Sequence, residues 1–306
     1  MTNVIMGIFL TFLFVVIGAF QDVFLASYFQ TKNPLLTVFS AFLIGMLVFW
    51  ALLGRGVWSS FQRVSQEKKL FLLLNFYTTL NWLTFFYSLK YIEPVLAGAI
   101  AFSLLPAITV ILNAYFRPNM SVSFLEKLSS LGILASILLL VYGEISQVTS
   151  LAHPVFNMQV IGVLLCILTS IGMSYNTFIT KELSDKKFRT TEVMAFRFIA
   201  LCLVSFIFLK LGGATIPIYD FSFLGVSLLV GVVGVVIPMF IIQKAIEKTE
   251  PVIISIILAL TPGVTFLFEV LEGRIEMRLT SAVGAMMCCF FAIVGVFPRK
   301  KNEIVK

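Results

Sequence analysis

Apolar runs of about twenty residues recur along this chain with only short polar breaks between them, a pattern that few folds can satisfy. A bilayer core of about 30 Å needs roughly 20 apolar residues per helix. Runs of that length fall at approximately 4–29, 35–53, 70–90, 94–115, 127–146, 159–181, 191–210, 222–244, 251–272 and 279–298. A membrane β-barrel would alternate polar and apolar residues, and Leu10-Thr11-Phe12-Leu13-Phe14-Val15-Val16-Ile17 does not. Composition agrees, since 59% of the 306 residues are hydrophobic and 12% are charged, against about 25% charged in soluble domains. The chain is predicted to be an all-α integral membrane protein with ten transmembrane helices. Its first run lacks a basic segment before it, exceeds the ~7–15 residues of a signal-peptide core and is followed by no small-x-small site, so it is expected to remain in the mature protein.

Positive charge is unevenly shared between the two sides of these spans. Of the 22 Lys and Arg, sixteen fall in the loops on the side of both termini, five on the opposite side, and Arg197 lies inside a span. Cytoplasmic loops carry such an excess, so both termini are predicted to face the cytoplasm. The net charge of +7 then reflects orientation beside anionic lipid rather than nucleic-acid binding. Cys166, Cys202, Cys288 and Cys289 lie in apolar runs without CxxC or metal-ligand spacing, which favours plain packing and no metal.

The sequence also repeats itself. Glu93-Pro94 falls on Glu250-Pro251, and Leu105-Pro106-Ala107-Ile108-Thr109 falls on Thr261-Pro262-Gly263-Val264-Thr265 after a one-residue gap. Upstream, Ile17-Gly18 and Phe24 fall on Ile171-Gly172 and Phe178. Residues 1–150 and 151–306 are therefore read as two five-helix repeats. Five is odd, so the second repeat enters the membrane from the other side, and such inverted repeats are typical of secondary transporters with a site near the midplane. The last span of each repeat carries glycines eleven apart, Gly132 and Gly143 against Gly284 and Gly295. Eleven helical steps return to nearly the same face, giving each span a smooth stripe for close packing.

Residues 85–112, FFYSLKYIEPVLAGAIAFSLLPAITVIL, and residues 243–280, QKAIEKTEPVIISIILALTPGVTFLFEVLEGRIEMRLT, resemble matching segments of EamA-type members of the drug/metabolite transporter superfamily. Two departures stand out. The usual Leu-Gly-Glu close reads Glu272-Gly273-Arg274-Ile275-Glu276, and Ser40 stands where an arginine is often found. The resemblance implies a transporter, often an exporter of amino acids or related metabolites, with a central cavity lined by spans of both halves. It also implies an inner-membrane location for a bacterial protein.

An ionisable group at the centre of a membrane helix costs about 2.5–3.5 kcal/mol on insertion scales, so each one needs a reason. Asp22 and Arg197 are the deepest candidates. Arg197 either faces the interior or snorkels to lipid headgroups. Asp22 is either a hydrogen-bonded structural acid or a group that couples transport to protons or binds a substrate amine. The third span is polar and aromatic through Asn75, Tyr77, Thr78, Asn81, Trp82 and Thr84, and is expected to face a cavity. Aromatic packing alone would also account for Tyr77 and Trp82. Gln21, Ser103, Tyr175 and Asn176 complete the candidate set for substrate binding or coupling. Pro106, Pro238 and Pro262 remove backbone donors from the carbonyls of Phe102, Gly234 and Leu258, either kinking the helices or freeing carbonyls for a ligand. Spans 1, 3, 4, 6, 8 and 9 are expected to build the cavity, with spans 5 and 10 outside it.

Two other classes fit the sequence less well. A membrane serine protease needs Gly-x-Ser-x-Gly and a membrane histidine, whereas Gly172-Met173-Ser174-Tyr175-Asn176 breaks that pattern and His153, the sole histidine, falls in a predicted loop. Aspartyl chemistry needs two acids with one in GxGD, and Asp22 follows Gln21. No HExxH or CxxC set occurs, and the chain contains no Gly-Lys pair of a nucleotide-binding loop. No cofactor is expected, and the energy source would be a solute or ion gradient. A channel-like facilitator would show an acidic ring or carbonyl filter, and neither is visible. The expected partners are a small-molecule substrate, protons and membrane lipids.

Overall fold

The computed structural model describes residues 2–24, 34–92, 94–118, 122–148, 156–213, 221–272 and 279–296. Asp22 lies within a described helix but its side chain does not belong to the described set, and the same holds for Gly143; Glu93 and His153 lie outside the described residues altogether. The ordered elements are helical throughout: α1 (Thr2–Phe24), α2 (Pro34–Leu53), α3 (Val57–Gln66), α4 (Lys68–Ser88), α5 (Pro94–Phe116), α6 (Phe124–Val148) and α7 (Phe156–Asp185). They continue with α8 (Thr190–Phe196), α9 (Ile199–Leu211), α10 (Phe221–Leu229), a π-helical stretch (Val230–Val236), α11 (Ile237–Lys248), α12 (Pro251–Leu258), α13 (Thr261–Glu272) and α14 (Leu279–Val296).

Seven stretches of the described residues are long and apolar enough to cross a membrane, fewer than the ten predicted: 3–21, 35–66, 97–116, 160–185, 190–211, 223–248 and 251–272. The physical reason is plainest at α4, where Lys68, Lys69, Asn75, Thr78, Asn81 and Thr84 dilute the apolar content. At α6, Glu126 and Lys127 open the helix. In α14, the described apolar core is the shorter run Met286–Val296.

Proline explains where several helices begin and bend. Pro94 opens α5 and Pro251 opens α12, the position where a missing N–H costs nothing. The two inner prolines behave differently. Pro106 sits inside an unbroken α5, whereas α12 ends at Leu258 and α13 starts at Thr261, just before Pro262. The Thr261 hydroxyl donates to the Leu258 carbonyl at 2.7 Å, taking up the acceptor that Pro262 leaves. Ahead of Pro238 the helix widens into the π stretch, with Ile237 N–H donating to Val232 O, five residues back. The carbonyl taken up there is that of Val233, not the predicted Gly234, and it accepts from Gln21 Nε2 at 2.8 Å. The carbonyls beside Pro238 and Pro262 that have side-chain donors are thus capped by the protein itself.

Helix contacts come in reciprocal pairs. α1 packs on α11 as α7 packs on α4, and α1 meets α12 and α13 as α7 meets α5. α2 lies on the π stretch as α9 lies on α4, while α2 with α9 and α6 with α14 are self-matched. Exchange of the first repeat with the second carries each contact into its partner. The α6–α14 contact is close at glycine, the kind of packing that the glycine stripes predict without naming the partner helix. A Cβ on Gly132 would overlap the Phe291 ring, one on Gly295 would lie 2.7 Å from Ser129 Cβ, and Ser129 Oγ donates to Phe291 O at 2.7 Å.

Among the described residues, all five ion pairs lie at the end of the bundle where the terminus-side loops were placed. Arg117 meets Asp185 and, at 2.8 Å, Glu250; Arg63 meets Glu192 at 2.8 Å; Lys186 meets Glu67 at 2.7 Å. Each of these joins one repeat to the other. Glu192 is largely buried but fully engaged, accepting from Arg63, from Ser60 Oγ at 3.1 Å and from Arg189 N–H at 2.8 Å, which is the condition for keeping a carboxylate out of water.

Candidate functional site

The seventh predicted span is not one helix. α8 ends at Phe196, α9 begins at Ile199, and Arg197 and Phe198 lie between them. In a continuous helix the carbonyls of Ala195 and Phe196 would accept from the N–H groups of Ile199 and Ala200. Here Trp50 Nε1 donates to Ala195 O at 2.7 Å and Asn75 Nδ2 donates to Phe196 O at 2.8 Å, while Ala200 N–H donates to Asn75 Oδ1 at 3.0 Å. The Asn75 amide therefore replaces both halves of one missing backbone bond, so neither buried group is left unpaired.

That break delivers Arg197 to a cavity of about 160 Å³ between the two repeats. Its wall takes residues from α1, α2, α4, α5, α7, the α8–α9 break, the π stretch, α11, α12 and α13, and, among the described residues, none from α6 or α14. The expected spans 1, 3, 4, 6, 8 and 9 all contribute. Spans 2 and 7 contribute as well, through Thr37, Ala41 and Phe42 and through Arg197. Most of the wall is apolar and aromatic, with Phe14, Phe42, Trp82, Phe85, Phe86 and Phe102 prominent.

Arg197 is only 4% exposed, which removes the snorkelling alternative. Its Nη1 donates to Gln243 Oε1 at 3.4 Å, its guanidinium carbon stands 5.6 Å from the Phe198 ring centre, and its Nε has no partner. Asn81 is buried on the same wall, held against α7 at Gly172. A Cβ at Gly172 would sit 3.0 Å from the Asn81 backbone nitrogen, so a side chain there would have to push α7 and α4 apart by a few tenths of an ångström. Trp82 packs on Phe42 with ring centres 4.8 Å apart, and its indole N–H is buried without an acceptor. Asn176 accepts from Thr78 Oγ1 at 3.2 Å, while its Nδ2 is unpartnered. Gln21 reaches the wall while bonded to Val233 O.

Three predicted site residues lie away from this wall. Tyr77 and Tyr175 stack on each other, ring centres 4.3 Å apart and planes 4° from parallel, sealing α4 to α7. Ser103 is buried and donates to Ile100 O of its own helix at 2.9 Å. The described position of Asp22 is its place in α1, one residue after Gln21.

The model of the EamA-like transporter family matches residues 5–142 and matches again over residues 160–297. The chain belongs to the EamA-like transporter family. An EamA-like transporter of this kind is a multi-pass membrane transporter of the drug/metabolite type. One solved crystal structure superposes with a TM-score of 0.72 at 19% sequence identity, covering 96% of this chain and 96% of its own, which shows a shared fold. No curated protein matches at a significant level.

In this EamA-like transporter, sequence reasoning missed Thr177 and Thr180 on the cavity wall and Gln243 beside Arg197, and missed Trp50 and Asn75 as caps of the break. Thr177 and Thr180 lie one and four residues after Asn176, and Thr180 shares its helical face. That spacing was the available signal.

Proposed function

We propose that this protein is a secondary transporter of the bacterial inner membrane that exports small metabolites, amino acids or related compounds, by alternating access. The proposal extends the family assignment to ten crossings in two inverted repeats, residues 1–150 and 151–306, with both termini cytoplasmic. Substrate, protons and lipid are its partners. The observation that carries it is a cavity walled by helices of both repeats, with the cross-repeat ion pairs of the described residues all at one end. Two repeats of one fold have two arrangements of similar energy, each opening the cavity to a different side. Counterflow in proteoliposomes across amino acids, nucleosides and amphiphilic drugs tests the reading. Saturable exchange is expected; flux that rises linearly with concentration and shows no exchange would make the protein a channel.

Asn81 and Trp82 are proposed to touch substrate. Losing a polar contact at a buried site costs about 1–3 kcal/mol, so Asn81→Ala is expected to raise the half-saturation constant about tenfold to hundredfold at normal membrane levels. Unchanged transport in both Asn81→Ala and Trp82→Ala would remove these residues from the site.

Asp22 is proposed as the proton-coupling group, being the acid that α1 carries in its apolar run. Asp22→Asn is expected to abolish concentrative transport while counterflow survives. Loss of counterflow for amine substrates alone would make it an amine-binding group instead, and wild-type behaviour from about pH 5.5 to 8 would make it structural.

A further inference from the structure

The cavity wall carries one formal charge among the described residues, the guanidinium of Arg197. None of the five ion pairs among the described residues includes it. What it has is a long bond to a neutral amide, Gln243, and the face of Phe198. Gln21, the residue before Asp22, bonds the strand of helix at Val233, while Arg197 bonds Gln243, ten residues further on. At 1.5 Å per residue these levels are about 15 Å apart.

Arg197 is also not alone in lacking an acceptor. Trp82 Nε1, Asn176 Nδ2, Thr180 Oγ1 and Arg197 Nε are all buried, all belong to residues of the cavity wall, and all are without a hydrogen-bond partner among the described residues. Three of the four are obligate donors and the fourth, a hydroxyl, can donate. Buried polar groups are normally paired, and a cluster of exceptions on one cavity is a place where a ligand completes the set. A buried surplus of donors with an unpaired positive charge fits a ligand rich in acceptors and negative in charge. The rest of the wall fixes the other end of that ligand, because Phe14, Phe42, Phe85 and Phe86 offer area and no polar atoms.

We propose that the cavity recognises an amphiphilic monocarboxylate. Its carboxylate sits against Arg197, with Asn176 and Thr180 as neutral donors, and its apolar or aromatic body lies along the phenylalanine wall. An α-amine is tolerated and is not the recognised group. A second carboxylate finds no cation among the described wall residues and is excluded. This deepens the exporter reading and rests on it only for the transport arm of the test.

The test uses matched compounds: 3-phenylpropionate, phenylalanine and phenylalaninamide, and beside them 4-methylpentanoate, leucine and leucinamide. Ligand-dependent thermal stabilisation of the purified full-length protein reads binding, and counterflow in proteoliposomes reads transport. The four carboxylates are expected to stabilise the protein and the two amides are not. Arg197→Gln is expected to weaken binding about tenfold to hundredfold, the range for a lost charge-assisted hydrogen bond. Arg197→Lys keeps the charge without the fork and is expected to retain the preference for carboxylates at lower affinity. If Arg197→Gln does not fold, the wild-type comparison of acid with amide still decides. Amides binding as well as acids, or no carboxylate stabilising the protein, overturns the inference. Carboxylate-dependent binding without exchange upholds it and overturns the exporter reading, whereas exchange of amides as fast as acids does the reverse.

Discussion

Asn75→Leu is expected to leave a protein that reaches the membrane and no longer concentrates its substrate. Leucine has the same number of side-chain heavy atoms as asparagine, branched at the same carbon, so the apolar surroundings of α4 survive, but the Phe196 carbonyl and the Ala200 N–H both lose their partner. Leaving two buried groups unpaired costs about 1–3 kcal/mol each. The chain has a cheaper course. These two groups are the natural i to i−4 pair of a continuous helix, and once Asn75 is gone they can bond each other and draw α8 and α9 into one rod. Closing the break rotates Arg197, which owes its place on the cavity wall to the interruption at 197–198. Hydrogen exchange at Ala200 and its neighbours is expected to slow, and transport to fall about a hundredfold, the upper range for losing a charged contact. Wild-type transport in Asn75→Leu, with unchanged exchange at Ala200, would show that the break is not what positions Arg197.

How much of this could be read beforehand divides along physical lines. Helical runs were legible because apolar length is a local property, and the repeat was legible because Pro94 and Pro251 begin equivalent helices by the same rule. Gly132 and Gly295 were legible as places of close packing because smooth stripes have few other uses in a membrane helix, though which helix packs there was not. The break at Arg197 was not. It carries neither proline nor glycine, and its stability comes from Trp50 and Asn75, which are 145 and 121 residues away along the chain from the carbonyls they cap. Hydroxyls were equally opaque. Ser103 turns back to its own helix while Thr180 is left with an unpaired oxygen on the cavity wall, and nothing local distinguishes them. Aromatic residues divided by partner rather than type, since Trp82 faces the cavity whereas Tyr77, one and a half turns earlier, is consumed by Tyr175.

Gly132→Leu is expected to fail at assembly rather than at recognition. The first added atom would already overlap the Phe291 ring near its root, so a rotamer change at the ring tip cannot make room. The backbone cannot withdraw freely either, because Phe291 O accepts from Ser129 Oγ, three residues before Gly132 on the same helix. Without water to drive apolar faces together, membrane helices associate through close contact at small residues, and α6 meets α14 in that way. Overfilling such a contact costs about 1–3 kcal/mol and more when the backbone must move. The α6–α14 pair contributes no described residue to the cavity wall, so the loss is predicted to appear as low monodisperse yield and a lowered unfolding temperature, with normal affinity in whatever folds. Gly225→Leu is the matched control, since it adds the same side chain to an exposed helical glycine with open space around it. A Gly132→Leu protein as stable as Gly225→Leu, yet with strongly altered substrate affinity, would mean that α6 and α14 move with the site rather than brace it.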